Sequence, residues 1–444
     1  MAEPLTLKTL RAALMEAFEK LPDSRSGQNT QYTMSDAALA AFSVFFMQSP
    51  SFLAYQRDME RHKGRNNAQS LFGVARIPSD PQIRNLLDTV APEHLSEPFW
   101  TILERAMQDQ APETAFDVEG EWLVSLDGTQ YFTSTAIHCP QCTQIKSDNA
   151  TRYAHSALIP VLVKPGRKEV LALEPEFIVP QDGAEKQDCE RRAAHRWVQR
   201  SACRFAGRRV TILGDDLYCN QPFCELLQSR HLDFILTCKP QSHPTLYEEV
   251  ALLDKLGVVS DCEDRVWTGR GYERWAYRFA EHVPLREPPE ALYVNWCDLT
   301  ITDETTQEIV YHNAFATNQA LSCENVRGVV AKGRARWKVE NEGYNVLKNH
   351  GYYLEHNFGH GQQHLSCVII MLILLAFLCH SALKLGDRSY QRVRAELGTR
   401  QTFFNDLRAL TRYFFFKSWE HLLAFMIAGL EIAPSEGLVS RGEV

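Results

Sequence analysis

The chain has 444 residues, 45% hydrophobic and 23% charged, which suits a globular protein of two or three structural units and excludes a fibrous or disordered one. Its formal net charge of −8 argues against a uniformly basic nucleic-acid binder, but the basic residues are segregated. Lys186 to Arg209 holds eight basic and two acidic residues, Arg327 to Lys348 six and two, and Arg388 to Lys417 seven and two. An acidic chain with such segments can still present a positive groove. Twelve cysteines without a regular frame read as reduced thiols. The opening MAEPLTLKTLRAAL has no basic segment followed by an apolar one, so a cytoplasmic protein is expected.

Residues 1–118 read as helical. LKTLRAALMEAFEKL is amphipathic, MSDAALAAFSVFF is apolar, and PSDPQIRNLLDTV begins with Ser79 as a cap. Residues 63–79 are polar and turn-rich, a loop. Short helices around it suit a DNA-end-binding unit or, equally, a helical cap on the main domain. From 119 the pattern changes. Apolar runs at 122–126, 129–137, 155–163 and 168–178 read as strands, with Pro165-Gly166 marking a turn. A helix over 184–206 follows the turn residues Gln181, Asp182 and Gly183. Then come a strand at 209–214, a helix near 220–230 and a strand at 232–238.

Antiparallel strands first and βαβ units afterwards is the order of a ribonuclease-H-like domain, with 119–239 as its first part. Residues 240–318, a helix near 244–256 and then alternating stretches, read as a β-rich insertion. Residues 319–434 supply the second part of the core and C-terminal helices, and 435–444 a flexible tail. The apolar run CVIIMLILLAFLC, Cys367 to Cys379, is too short to cross a bilayer and reads as a buried core helix. The expected fold is α/β: a mixed five-stranded sheet with flanking helices, the insertion, and the N-terminal helical region. No membrane association is expected.

Three carboxylates stand out. Asp127 ends the run EWLVSLDGTQYF, Asp215 ends RRVTILGDDLYCN, and Glu340 lies mid-helix in GRARWKVENEGYNVLKNHG. A mixed sheet tends to carry functional groups at the carboxyl ends of its strands. Convergent carboxylates repel one another unless cations neutralise them, and oxygen-only ligation favours magnesium or manganese. Asp127-Gly128 taken alone is also a common turn pair. Asp216 competes with Asp215, and Glu342 with Glu340. Arg336, Glu340, Tyr344 and Lys348 recur every four residues as one polar stripe, with Arg334 as a further cation. Lys338 and Glu342 face elsewhere and suit an exposed ion pair.

LDGTQYF around Asp127, ILGDDLYCN around Asp215 and RARWKVENEGYNVLK around Glu340 resemble the motifs of bacterial insertion-sequence transposases of the DDE type. The likeness is to the group with a β-rich insertion before the final glutamate, and it covers roughly 120–385. The intervals of 88 and 125 residues fit, the longer one being what the insertion implies. The resemblance implies a retroviral-integrase-like core in which Asp127, Asp215 and Glu340 hold two Mg2+ ions, with Mn2+ able to substitute. It implies terminal inverted repeats and target DNA as partners, a homodimer or larger synaptic complex, and a nucleoid-associated bacterial setting. It implies strand cleavage followed by 3′-hydroxyl strand transfer. A domesticated DNA-binding or recombination relative, or a nuclease that cuts without joining, are the alternatives. Arg336 matches the group's arginine. Gly333 stands where the group has a tyrosine, and Leu347 where it has a lysine, with Lys348 next to it.

Other patterns are open to two readings. Arg192, Arg196, Arg200 and Arg204 are spaced by four, a backbone-phosphate track or a solvated helix face, with Ala194, Trp197 and Phe205 toward the sheet. Cys139 and Cys142, with His138 and His155 nearby, form one CxxC, half of a zinc site without a second pair. His356, His360 and His364 sit among glycines and read as a turn. Trp267, Trp275 and Trp296 in the insertion are small-sheet core residues or stacking platforms for an extruded base.

Overall fold

The computed structural model describes residues 4–26, 30–60, 66–108, 116–147, 150–180 and 188–433. The turn at 181–183, the expected helix start at 184 and the tail 435–444 lie outside the described residues. Five helices open the chain: α1 (Leu7–Phe18), α2 (Met34–Phe46), α3 (Phe52–Glu60), α4 (Asp80–Leu87) and α5 (Glu97–Gln108). Next come β1 (Glu121–Ser125), β2 (Gly128–Ser134), β3 (Thr143–Ser147), β4 (Ala150–Leu158), β5 (Val161–Val163), β6 (Leu171–Ala172) and β7 (Glu176–Ile178). They are followed by α6 (Glu190–Ser201), β8 (Arg209–Gly214), α7 (Gln221–Ser229), β9 (Asp233–Thr237) and α8 (Pro244–Lys255). Four strands, β10 (Ser260–Trp267), β11 (Tyr272–Pro284), β12 (Tyr293–Asp303) and β13 (Ile309–Thr317), precede α9 (Val326–Arg334). The chain ends with α10 (Asn345–Asn349), α11 (Leu365–Gly386), α12 (Arg388–Glu396), α13 (Arg400–Tyr413) and α14 (Trp419–Gly429).

Two compact units result. One comprises Met1–Ala115, Ser134–Gln141 and Asn345–Val444; the other comprises Phe116–Thr133 and Cys142–Tyr344. The N-terminal helices therefore share a unit with the C-terminal ones, and the segment from 319 onward divides after Tyr344.

The first unit is helical. Thr6 and Thr33 cap α1 and α2 through reciprocal capping boxes. α11 is apolar on all sides because it is buried along nearly its whole length, packed by α2, α5 and α12. Although 22 residues of such composition are long enough to span a bilayer, here they form the unit's core. Its N-terminus is capped by Asp88, whose carboxylate accepts from the amides of Gln362, Gln363, His364 and Leu365. Gly361 makes this possible: a Cβ there would stand 2.2 Å from Asp88 Oδ1. The histidine-rich stretch is thus a turn shaped by its glycines. Buried Asp58 receives both ends of the Arg412 guanidinium, at 2.9 and 3.0 Å, joining α3 to α13.

The second unit is built on a nine-stranded mixed sheet in the order β10-β11-β12-β13-β9-β8-β1-β5-β6. β1 runs parallel to β8, β8 parallel to β9, and β5 antiparallel to β1. All five residues of β1 are buried, as its central place in the sheet requires. Five strands were expected. The difference is the insertion: β13 pairs antiparallel with β9, so β10–β13 extend the sheet instead of forming a separate body. A second sheet, β2-β4-β3 with β7 on β4, is also unexpected. Its cause is proline. Pro160 breaks the run 155–163 into β4 and β5, and Pro175 breaks 168–178 into β6 and β7, sending the pieces to different sheets.

A buried polar network holds α9 on the sheet. Glu121 at the start of β1 accepts hydrogen bonds from Lys332 Nζ, Thr211 Oγ1 and Gln319 Nε2. Burial pulls the Lys332 pKa down, but its hydrogen bonds to Glu121 and Glu119 more than reverse the effect, so the lysine keeps its charge. The next residue, Gly333, has no room for a side chain: a Cβ would meet Phe315 at 2.7 Å and Ile235 at 3.0 Å. A tyrosine at this position would force α9 off β9 and β13.

Candidate active site

Ser125 pairs with Leu213 across the parallel β1–β8 ladder. Asp127 and Asp215 each follow two residues later, so they leave adjacent strands at the same register and at the carboxyl end of the sheet. The Leu126 amide donates to the Leu213 carbonyl at 2.8 Å, carrying the alignment one step past the strand ends. The loop after β8 separates the neighbouring aspartates. Asp216 is bound back into the protein, accepting from the Lys239 amide at 2.7 Å and from Ser242 Oγ. The Asp215 carboxylate accepts only the Leu217 amide, at 2.9 Å, among the described hydrogen bonds.

Glu340 reaches this region from an irregular helix. After α9 the chain makes a 3-10 turn at Ala335–Trp337 and then a π turn at Val339–Tyr344 before α10. π turns widen a helix by one residue and recur at functional sites. Arg336 Nη1 lies 3.0 Å from Glu340 Oε1, and the Arg336 carbonyl accepts from Ser125 Oγ at 3.3 Å, pinning the turn to β1. Tyr344, fully buried at its hydroxyl end, donates to the Asp127 carbonyl. The Glu340 side chain remains 42% exposed.

The electrostatics couple these groups. Burial raises the Asp127 pKa to about 7, helped by the negative charges of Glu190, Glu340 and Asp215 and opposed by Arg336. Glu190 is the residue that pattern reading missed. It opens α6, and its carboxylate accepts from the Gly128 amide at 3.1 Å and the Tyr218 hydroxyl at 2.6 Å. Its own pKa is raised by burial and then by Asp215, against the hydrogen bond from Tyr218. In linear sequence it is an ordinary acidic residue in a first helical turn. The one available signal was Gly128. A Cβ there would stand 2.2 Å from Glu190 Oε2, so this glycine supplies space for a carboxylate rather than a turn conformation.

Several expected contacts have other partners. Arg196 pairs with Glu176 and Asp188, both at 2.7 Å, and Arg200 with Glu174 and Glu176 at 3.1 and 2.5 Å. These carboxylates interrupt the four-arginine track, whose outer members Arg192 and Arg204 stand exposed. Arg334 is sandwiched against Trp275 and Tyr311 at 4.8 and 4.6 Å. Tyr344 is a buried brace, not a DNA-facing group. Lys348 lies in the helical unit, 2.8 Å from Glu355. Lys338 donates to the Arg167 carbonyl instead of standing out as an ion-pair partner. Of the tryptophans, Trp296 is core, Trp275 backs Arg334, and Trp267 is exposed beside Tyr272. Cys142 Sγ lies 3.4 Å from His155 Nε2 in the sheet unit, while Cys139 belongs to the helical unit.

An oxygen-only group of Asp127, Asp215, Glu340 and Glu190, with the Asp127 pKa raised by burial and by the other carboxylates, suits a hard divalent cation. A cation would return Asp127 to its ionised form and relieve the mutual repulsion. Neither sequence-family profiles nor curated proteins match this chain. Among solved structures it is similar to a piggyBac transposase synaptic complex with hairpin DNA, at 12% identity and a TM-score of 0.41 over 97% of this chain and 83% of that one. A likeness of that degree carries no information on chemistry.

Proposed function

We propose that the protein is a DDE-type DNA transposase with a ribonuclease-H-like core. The observation that carries this reading is the matched register of Asp127 and Asp215 at the ends of adjacent parallel strands, with Glu340 and Glu190 close enough to raise the Asp127 pKa. The strand order β6-β5-β1-β8-β9, with β5 alone antiparallel to β1 and β8 and β9 parallel to it, supports the fold assignment.

In this reading Asp127, Asp215 and Glu340 hold two magnesium ions, or manganese in their place. Bound there, such a pair would activate a water or a 3′-hydroxyl and stabilise the leaving oxygen of an in-line displacement. The chain's own groups orient the donors. Tyr344 and Ser125 lock the glutamate turn against the end of β1, and Leu217 N fixes one Asp215 oxygen. Arg336 is placed to take a phosphate oxygen once metal relieves it of balancing the carboxylates. DNA ends and target would lie along this edge, and joining two ends calls for a dimer or larger assembly.

The test is strand cleavage and joining on the element's terminal repeats with Mg2+. Asp127→Asn and Glu340→Gln are expected to abolish both while retaining end binding. Supplying pre-cleaved ends with a supercoiled target isolates joining. Wild-type cleavage by either variant would overturn the assignment, and cleavage without any joined product would reduce the protein to a nuclease.

A further inference from the structure

We propose that Cys219, Cys238 and His243 form a zinc site that ties the loop carrying Asp215 to the loop after β9. All three are buried, and their candidate donor atoms lie within 4.8 Å of one another. Cys238 and His243 lie on the loop after β9, and Cys219 joins them from the loop after β8 because β8 and β9 are parallel neighbours whose carboxyl-end loops lie side by side.

The backbone presets each donor. Cys219 sits in the turn closed by its amide on the Asp216 carbonyl, just before Asn220 caps α7. Cys238 directly follows β9, its amide held by the Ala314 carbonyl of β13 at 2.9 Å. His243, whose amide donates to Lys239 at 3.1 Å, immediately precedes α8. Both cysteines are free thiols. His243 Nε2 is buried without an aligned hydrogen-bond partner, although Asp216 Oδ1 stands 3.3 Å away.

Two thiolates and an imidazole are a donor set for zinc, which takes three or four such ligands in tetrahedral geometry. A carboxylate beside the imidazole is the usual partner that orients a metal-bound histidine, and Asp216 fills that place. Its other bonds, to Lys239 N and Ser242 Oγ, already bridge the two loops. An open cleft of about 590 Å³, lined by Ser242, His243, Pro244 and Arg286 among others, gives the ion an approach. Soft donors here and oxygen donors at Asp127 and Asp215 would sort two kinds of metal within one sheet edge. This site stands whether or not the transposase reading does, because its readout is metal content and not DNA chemistry.

The experiment loads the chelator-treated full chain with Co2+ and separately with Zn2+. The expected result is a thiolate-to-cobalt charge-transfer band in the near ultraviolet. Zinc content should fall by about one ion per chain in Cys219→Ala, Cys238→Val and His243→Gln relative to the parent. Cys238→Val leaves no cavity and Cys219→Ala no crowding, so loss of the ion in both is not a packing effect. Zinc should also raise the melting temperature of the parent more than that of the variants. Parent and Cys238→Val with equal zinc content, no thiolate band in the cobalt-loaded parent, or a Cys219–Cys238 disulfide in a non-reducing peptide map would each overturn the proposal.

Discussion

Glu121 and Asp127 stand at opposite ends of one strand and are treated in opposite ways. Glu121 is completely buried and fully answered, by a lysine at one oxygen and by a threonine and a glutamine at the other. Asp127 is partly buried, and the charges nearest it are mostly negative. The first arrangement is finished without help and does a structural job. The second has more negative charge than positive around it, which is why we propose it as the metal site. The same residue class, six positions apart, is told apart by partners alone.

Exchanging the two charges should separate the roles. Asp127→Asn is expected to lower strand cleavage by on the order of 10²–10³ or more while leaving the fold intact. Glu121→Gln should do the reverse, lowering the melting temperature with little change in the rate per folded molecule. Lys332→Met strands a buried Glu121 and should cost about 3–5 kcal/mol in urea unfolding. The double change Glu121→Leu with Lys332→Met should recover most of that loss.

The pH dependence sharpens the contrast. Asp127 has an ordinary value of 3.8 when unfolded and about 7 when folded, so between these the unfolded chain has released a proton that the folded chain keeps. The metal-free protein should therefore lose stability as pH rises from about 4 to about 7, by roughly 2–4 kcal/mol, and then level off. Asp127→Asn should reduce this slope, leaving the part that belongs to Glu190, and saturating Mg2+ should flatten it. A slope unchanged by both would place the titration elsewhere. Gly333→Ala should cost about 1–3 kcal/mol by overpacking against Phe315 and Ile235, measured by denaturant titration. The smallest effect expected is on DNA: Arg192→Gln should lower the salt-dependence slope of binding by about one, while Arg196→Gln, already paired with Glu176 and Asp188, should leave that slope unchanged.

The sequence made the strands of the core legible wherever an apolar run ended on a turn residue, as at Asp127 and Asp215. It also marked α11, because a run apolar on every side has to be buried. Prolines at 160 and 175 hid the second sheet, since an apolar run reads the same on both sides of a break. The extension of the sheet by β10–β13 was hidden because alternation reports that a strand exists but not what it pairs with. Glu190 was invisible because its contact with Gly128 spans 62 residues and leaves no local period. The partners of Arg196 and Arg200 were hidden for the same reason: Glu174 and Glu176 lie just before and at the start of β7, not on α6.

The π turn between Val339 and Tyr344 fits one more residue into its span than an α-helix would. Removing a single residue there would let the coil tighten to α-helical pitch while Tyr344 kept nearly its present bearing on β1, whereas a residue added to or lost from the regular turns of α9 would swing Glu340 by about 100°. This short stretch therefore carries one residue of slack that the helix before it lacks.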